Sequence, residues 1–491
     1  MSDREKIEIE TNMKSQTPQA NPLGTERIGK LILKYSIPAI ISMVVNALYN
    51  LADQIFIGWG IGELGIAATN VAFPLTTISV AVGLLFGVGG ASNLSLFLGR
   101  GDKKDASIVV GNTITLLVIT GLIIGAAAVI FIDPMLRLFG TTDNVMTYAA
   151  PYTLIIGLGL PLMIFSIGVS QLIRADGSPT YAMICVFSGA IFNIIFDPIF
   201  LFVLDMGIEG IALATVLGQL LSSILAAVYV IKKFKNVNLT RPDFKLTGSI
   251  IRLVAGLGAA ACVNQLAMTV VQIVTNNTLT YYGESSVYGS DIPLAAVGAV
   301  SKIAMLFMAI ILGTAQGCQP ITGFNYGAQN YMRVKKTYLT GAIGVTVYST
   351  IAFICFQLFA PQIVSIFGSS NPMYLEFAAR YMRIAMMFAF AIGIQAFTSN
   401  FFTAIGKPIL GLIMTMTRQI IFLVPLMLIL PMFFGLDGAL FSMPISDCAA
   451  AVLTGLFIIL EMRKMTKLEA DKEGERITLN TEKKLPKAAS K

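Results

Sequence analysis

Asp53 and Asp197 are carboxylates set inside segments that are otherwise apolar. The second lies in the run Asn-Ile-Ile-Phe-Asp-Pro, Asn193 to Pro198, within a stretch, 181–204, that at about 1.5 Å per residue is long enough to cross a bilayer. An ionised Asp near the centre of such a segment costs about 2.5 to 3.5 kcal/mol, so it demands a partner or a function. Asn193 falls one helical turn before Asp197 on the same face, and Tyr49 one turn before Asp53. Pro198 removes the next backbone donor and loosens the helix beside the acid. Two carboxylates, the Asn193 amide oxygen and the Thr215 hydroxyl form a set of hard oxygen ligands suited to Na⁺. Alternatively, burial and mutual repulsion keep one carboxyl protonated, and the same pair carries H⁺. Structural pairing of the two acids is the competing reading.

The elements that hold these residues follow from composition. With 491 residues, 55% hydrophobic and only 12% charged, and a mean hydropathy of +0.77, the chain has too much apolar surface for one soluble core. It reads as an all-α polytopic membrane protein. The net charge of +7 resides mostly in short loops, which the positive-inside rule explains without nucleic acid. Cys185, Cys262, Cys318, Cys355 and Cys448 show no paired spacing, so neither a disulfide framework nor a zinc site is expected. The absence of His removes imidazole as ligand, base or proton carrier. No HExxH motif and no Ser with a base is found, so an intramembrane enzyme is the weaker alternative and no catalytic residue is assigned.

Twelve apolar segments are expected at 31–57, 66–97, 108–132, 147–172, 180–204, 210–231, 249–280, 294–324, 338–358, 375–402, 409–430 and 437–460. Residues 1–29 read as a polar tail without a signal-peptide core, and 461–491 as a charged tail in solution. Basic residues such as Arg100, Lys103, Lys104, Arg174, Lys232, Lys233, Arg333 and Lys407 fall on one side. Glu63, Asp205, Glu209, Glu284, Asp291 and Asp437 fall on the other, with Arg137, Arg380 and Arg383 as exceptions. A multi-pass protein of the cytoplasmic membrane, inner or plasma, with both termini cytoplasmic is expected.

The chain repeats itself at a shift near 228. Pro134, Phe139 and Gly140 recur as Pro361, Phe367 and Gly368; Gly99 as Gly327; Arg174 to Pro179 as Thr403 to Pro408; Gly207 and Gly210 as Gly435 and Gly438. In the first segment of each half the shift falls to 218, pairing Asn46, Leu48, Gln54 and Ile55 with Asn264, Leu266, Gln272 and Ile273. Two parallel six-helix lobes are therefore expected, at 30–231 and 249–460, joined by a basic linker, 232–248. Under the repeat, Asp53 aligns with Val271, Asn193 with Ile421, Asp197 with Pro425 and Thr215 with Met443. A requirement of the fold would recur in both halves, so a coupling-ion site is favoured over structural pairing.

At this point the sequence resembles the multidrug and toxic compound extrusion (MATE) transporters over about 25–462. The resemblance rests on the twelve segments in two lobes, the glycines after the second segment of each half, and the turns Gly177 to Pro179 and Gly406 to Pro408. Asp53, Asn193, Asp197 and Thr215 match in type and spacing the branch whose amino-terminal lobe binds the cation. The resemblance implies that Tyr49 and Tyr152 join that network and that the first helix bends at Pro38. It further implies export of cationic drugs or toxic organic compounds in exchange for H⁺ or Na⁺, with Asp53, Asn193, Asp197 and Thr215 as Na⁺ ligands if sodium is the ion. The other branch's carboxy-lobe acids are missing from the seventh segment, which has Gln265 and Gln272 instead.

Lys302 and Arg418 lie about 13 Å inside the eighth and eleventh segments. They are expected either to meet an anionic or carbonyl group of a substrate or to pair with helix carbonyls. Gln171, Gln272, Met268 and Phe307, with Phe73, Met305 and Met308, are candidate cavity walls, although Met and Phe at helical spacing are also ordinary packing. Small-molecule drugs, H⁺ or Na⁺ and membrane lipids are the expected partners, with no other cofactor and no obligate protein partner. The alternative is a flippase or exporter of a lipid-linked sugar or anionic metabolite on the same architecture.

Overall fold

The computed structural model describes residues 21–139, 141, 143–289, 291–366 and 372–484, with the side chains of Glu63, Asp291 and 472–484 outside that set. Residues 1–20 and 485–491 of the expected tails, and Gly140, Phe367 and Gly368 of the repeat, lie outside the described residues.

Long apolar runs without internal turn signals fold as long helices: α1 (Ile28–Gly60), α2 (Glu63–Arg100), α3 (Lys103–Ile130), α4 (Asp143–Ala175), α5 (Pro179–Pro198) and α6 (Gly207–Lys232). After the linker come α7 (Gly248–Glu284), α8 (Asp291–Gly327), α9 (Tyr331–Leu358), α10 (Pro372–Ala385), α11 (Ala389–Ala404), α12 (Pro408–Met416) and α13 (Val424–Lys484). Among the described residues there is no strand.

Among the described residues ten helices are long and apolar enough to span a membrane, and α10 with α11, bent by 50°, makes an eleventh span. The expected segment 375–402 is thus a broken span rather than one helix. The stretch Pro408–Asp471 is 64 residues long, which as a straight helix would measure about 96 Å. It is interrupted at Gly435, whose φ of 57° is not helical. That break divides it into the eleventh and twelfth crossings expected from the sequence.

Turn geometry repeats with the sequence. Gly177 and Gly406 both have positive φ, as do Gly207 and Gly435. Asp102 caps α3 and its counterpart Asn330 caps α9, each accepting from the backbone N–H three residues on. Two of the basic exceptions at the acidic end pair with acids, Arg380 with Asp437 at 2.8 Å and Arg137 with Asp143 at 3.4 Å, and the third, Arg383, donates to the Gln357 carbonyl.

The lobes meet at their basic ends. Gly313 and Gly317 of α8 press on Ile40 and Ser36 of α1, and Gly258 of α7 presses on Leu85 of α2, with Gly89 against Val254. These contacts are related by the repeat, so each lobe's first helix packs on the second helix of the other lobe. Gly99 and Gly327, the glycines of the repeat, meet across the same seam, where a Cβ on either would overlap a backbone carbonyl. Gln319 donates to Ser92 at 2.7 Å in the buried centre of this interface.

The end of the expected amino-terminal tail and the basic linker are both fastened here. Asn325 and Arg333 donate to the Leu23 carbonyl, and Arg333 also donates to that of Glu26. Buried Asp176 accepts from Tyr229, from the backbone N–H groups of Lys235 and Asn236, and from the Asn236 amide, which ties the linker to the α4–α5 turn. The chain also does not leave the body at 461. α13 continues, Glu461 pairs with Lys407, Met465 is fully buried, and Thr466 and Glu469 contact Lys335 and the Tyr331 backbone N–H. Alternating charge hid an amphipathic extension that packs against α9.

Gly258→Ala should wedge α2 from α7 and lower stability by about 1–3 kcal/mol, the usual cost of overpacking. Gly256→Ala, where an added Cβ meets nothing within 4 Å, should not. Equal melting temperatures for the two variants would contradict the seam.

Candidate functional site

α1, α4, α5 and α6 bring the sequence-predicted acids and their neighbours together. Asn193 and Asp197 are buried on one face of α5. The Asn193 amide nitrogen donates to Asp197 Oδ1 at 2.9 Å and to Thr215 Oγ1, on α6, at 3.1 Å. Asp53 enters from half-buried α1, and its carboxyl comes within hydrogen-bonding reach of Asp197. Tyr49 and Tyr152 lie within electrostatic range of both acids.

Pro198 supplies no N–H, and the backbone beyond it widens into a π-helical turn, Ile199–Val203, in which Leu204 N bonds to the Ile199 carbonyl. The irregularity sits directly beside the acid, as expected from the Asp-Pro pair. α1 runs unbroken through Pro38, which is buried at the seam.

Asp53 Oδ1, Asp197 Oδ2 and Asn193 Oδ1 are buried oxygens without a hydrogen-bond donor. Leaving such an oxygen unsatisfied costs about 1–3 kcal/mol each. Two ionised carboxylates about 4 Å apart would repel by a further ~4 kcal/mol at an effective dielectric of 20. A single positive charge among these oxygens offsets both terms. The donor set fits either a proton shared by the carboxyls or Na⁺ held by oxygens. Hard oxygen donors of this kind suit Na⁺ rather than a soft transition metal.

The second lobe is different. Arg418 donates through Nε to Asp447 Oδ1 at 2.7 Å, and Asp447 is only 3% exposed. Neighbouring Gln419 donates to Asn264 of α7 at 3.3 Å. Asp447 is absent from the set predicted from sequence. The signal that could have found it is a mid-segment acid in the twelfth span at a depth similar to the mid-segment Arg418 of the eleventh. Arg418 is therefore engaged by a carboxylate, not by helix carbonyls, and its charge is balanced within the lobe.

The other cavity candidates divide. Met268, Gln272 and Lys302 are exposed, as are Phe73 and Met305, on the halves of α2, α7 and α8 beyond the seam. Gln171 is buried in α4. Phe307 is buried too, stacked on Tyr348 and edge-on to Phe356. It is a core residue of the second lobe and not a wall, because the apolar face of α8 turns it inward.

Removing Arg418 leaves a buried carboxylate unpaired, so Arg418→Met should destabilise by about 3–5 kcal/mol, and Arg418→Met with Asp447→Leu should recover most of that loss. A double variant no more stable than the single one, by thermal denaturation in detergent, would contradict the pairing.

Comparison with known proteins places these features in context. The profile of the MatE family matches residues 38–199 and 260–429. The multidrug export protein MepA of Staphylococcus haemolyticus is 25% identical over 445 residues, covering 91% of this chain and 96% of that protein. An FAD transporter of Shewanella oneidensis is 24% identical over 424 residues, covering 86% and 92%. Among solved structures, a MOP superfamily transporter from Pyrococcus furiosus, described as having a binding pocket of reversed polarity, aligns with a TM-score of 0.85 at 26% identity, covering 92% of this chain and 99% of that one. A multidrug resistance MATE transporter in an outward-facing conformation aligns with a TM-score of 0.83 at 26% identity, covering 92% and 100%.

Proposed function

The chain belongs to the MatE family of multidrug efflux transporters, and from that premise we propose that it is an antiporter. It exports amphipathic, cationic drugs or toxic organic compounds across the cytoplasmic membrane in exchange for H⁺ or Na⁺. The observation that carries this reading is the trio of donorless oxygens on Asp53, Asn193 and Asp197. A cation, or a proton on one carboxyl, relieves buried acceptors that lack donors, and an ion that comes and goes is what coupling requires.

The basic ends face the cytoplasm, by the positive-inside rule, with both termini there. The closed seam is then the cytoplasmic gate. The other halves of α1, α2, α7 and α8, with Phe73, Met268 and Gln272 exposed, line the approach from outside. Lys302 and Arg418 belong to the second lobe's side of that approach, and the Asp447 carboxylate cancels the charge of Arg418, which removes one obstacle to a cationic drug.

α1 links ion to gate. It carries Asp53 in the site, Ser36 and Ile40 in the seam, and Pro38 between those two. Pro38 interrupts the helical hydrogen-bond ladder and is the natural bending point. An ion entering among Asp53, Asn193, Asp197 and Thr215 draws α1 toward α5 and α6, bends it at Pro38 and reshapes the cavity that holds the drug. Ion and drug favour different states, so binding of one promotes release of the other.

A second reading, export of an anionic metabolite, draws support from Lys302 and from the relative named an FAD transporter.

Asp53→Asn and Asp197→Asn should each abolish drug resistance in cells stripped of their own efflux pumps, with the protein present in the membrane at normal level. Full resistance in either variant would overturn the ion mechanism. Normal membrane levels of wild type with no resistance at all would move the anionic-metabolite reading forward.

A further inference from the structure

A cavity of about 560 Å³ opens at the basic end between the end of α2, the start of α7 and the α11–α12 turn. Its floor is apolar, with Leu96, Phe97 and Leu257, and its rim carries Arg100, Arg252 and Lys407. Lys407 is matched by Glu461. Among the described residues neither Arg100 nor Arg252 is paired with an acid. The Arg100 guanidinium is held over the Phe97 ring, 5.6 Å from its centroid, at the cavity edge. Tyr326 and Ser249 add hydroxyls to the lining.

The repeat supplies the independent observation. Arg252 of α7 corresponds to Lys34 of α1, and around Lys34 the equivalent space is filled by the chain itself. The turn Pro22–Thr25 packs there, with Gly24 against Phe324, and Glu26 reaches Lys34 at 4.0 Å and Lys30 at 3.8 Å. Before α7 the chain takes another course. The linker binds the base of α3 through Asn112 and Thr115, so no carboxylate arrives at Arg252. One half of the pseudo-symmetric seam brings its own anion, and the other half leaves two arginines and a cavity.

We propose that this cavity binds a phosphate group, supplied by an anionic phospholipid of the adjoining leaflet or by free phosphate, in the place that Glu26 occupies on the other side of the seam. Two guanidiniums lining one cavity from different helices can recognise phosphate by charge-assisted and often bidentate hydrogen bonds. The apolar floor suits the glycerol and upper acyl chain of a lipid. Because Arg100 sits on α2 and Arg252 on α7, the bound group bridges the two lobes and holds the seam closed.

The test is thermal unfolding of the full chain in neutral detergent, with phosphatidylglycerol, phosphatidylcholine or inorganic phosphate added. Native mass spectrometry counts the retained lipid in parallel. R100Q/R252Q is compared with wild type and with K103Q/K104Q, which has the same net charge. Phosphatidylglycerol should raise the melting temperature of wild type and K103Q/K104Q by several degrees, with one lipid retained. R100Q/R252Q should lose most of that rise and the lipid. An equal rise with inorganic phosphate, lost in the same variant, assigns the site to free phosphate. No ligand-dependent rise in wild type, or a rise undiminished in R100Q/R252Q, overturns the proposal. If the double variant does not fold, the single R252Q variant is read by lipid retention alone, and unchanged retention overturns the proposal equally.

Discussion

The structure depends on an imbalance of hydrogen-bonding capacity. In the first lobe, buried oxygens of Asp53, Asn193 and Asp197 outnumber the donors that reach them. The one amide that helps is already divided between Asp197 and Thr215. A low-dielectric surrounding magnifies the cost of each orphaned acceptor and the repulsion between the acids. The second lobe solves the same class of problem internally, by pairing Arg418 with Asp447. The two lobes are alike in helices and turns but differ in how they treat these buried acids, one bringing two carboxylates together and the other pairing a carboxylate with an arginine.

That asymmetry acts through a symmetric frame. The seam is built from matched contacts, α1 on α8 and α7 on α2, made close by glycines. Packed backbones of this kind have discrete arrangements rather than a continuum, which suits a gate with two states. Pro38 lies in the seam and Asp53 lies 15 residues further along the same helix, about 22 Å away at the helical rise. The stretch of α1 between Asp53 and Pro38 therefore connects the proposed ion site to the seam contact, with Pro38 as the point of bending. In its counterpart α7, Val271 stands at the position of Asp53, so only one lobe places a carboxylate at this point of the arm.

Much of this was legible in the sequence, and what was not has physical causes. Asp53 and Asp197 stood out because a membrane segment penalises charge, and Asn193 and Thr215 followed from helical spacing and the repeat. The repeat also gave the lobes and located Gly99 and Gly327, although not their meeting across the seam, since spacing says nothing about which surfaces touch. Asp447 is less legible because a pairing with Arg418 leaves no mark in the sequence beyond the similar depth of the two residues in their segments. From the sequence Phe307 reads as packing more readily than as a wall, and the inward turn of α8 makes it core. The last helix outruns its expected end because alternating charges look solvated, whereas Lys407 pairs with Glu461 and Lys335 donates to the Thr466 hydroxyl.

The central claim is that a cation at Asp53 and Asp197 drives export, and the most direct measurement is drug efflux from proteoliposomes energised separately by a pH gradient and by a Na⁺ gradient. Efflux of a fluorescent cationic drug under one of the two gradients, abolished in Asp53→Asn and retained in a variant remote from the site such as Lys103→Gln, is the expected result. Equal efflux in wild type and Asp53→Asn under either gradient would contradict the account.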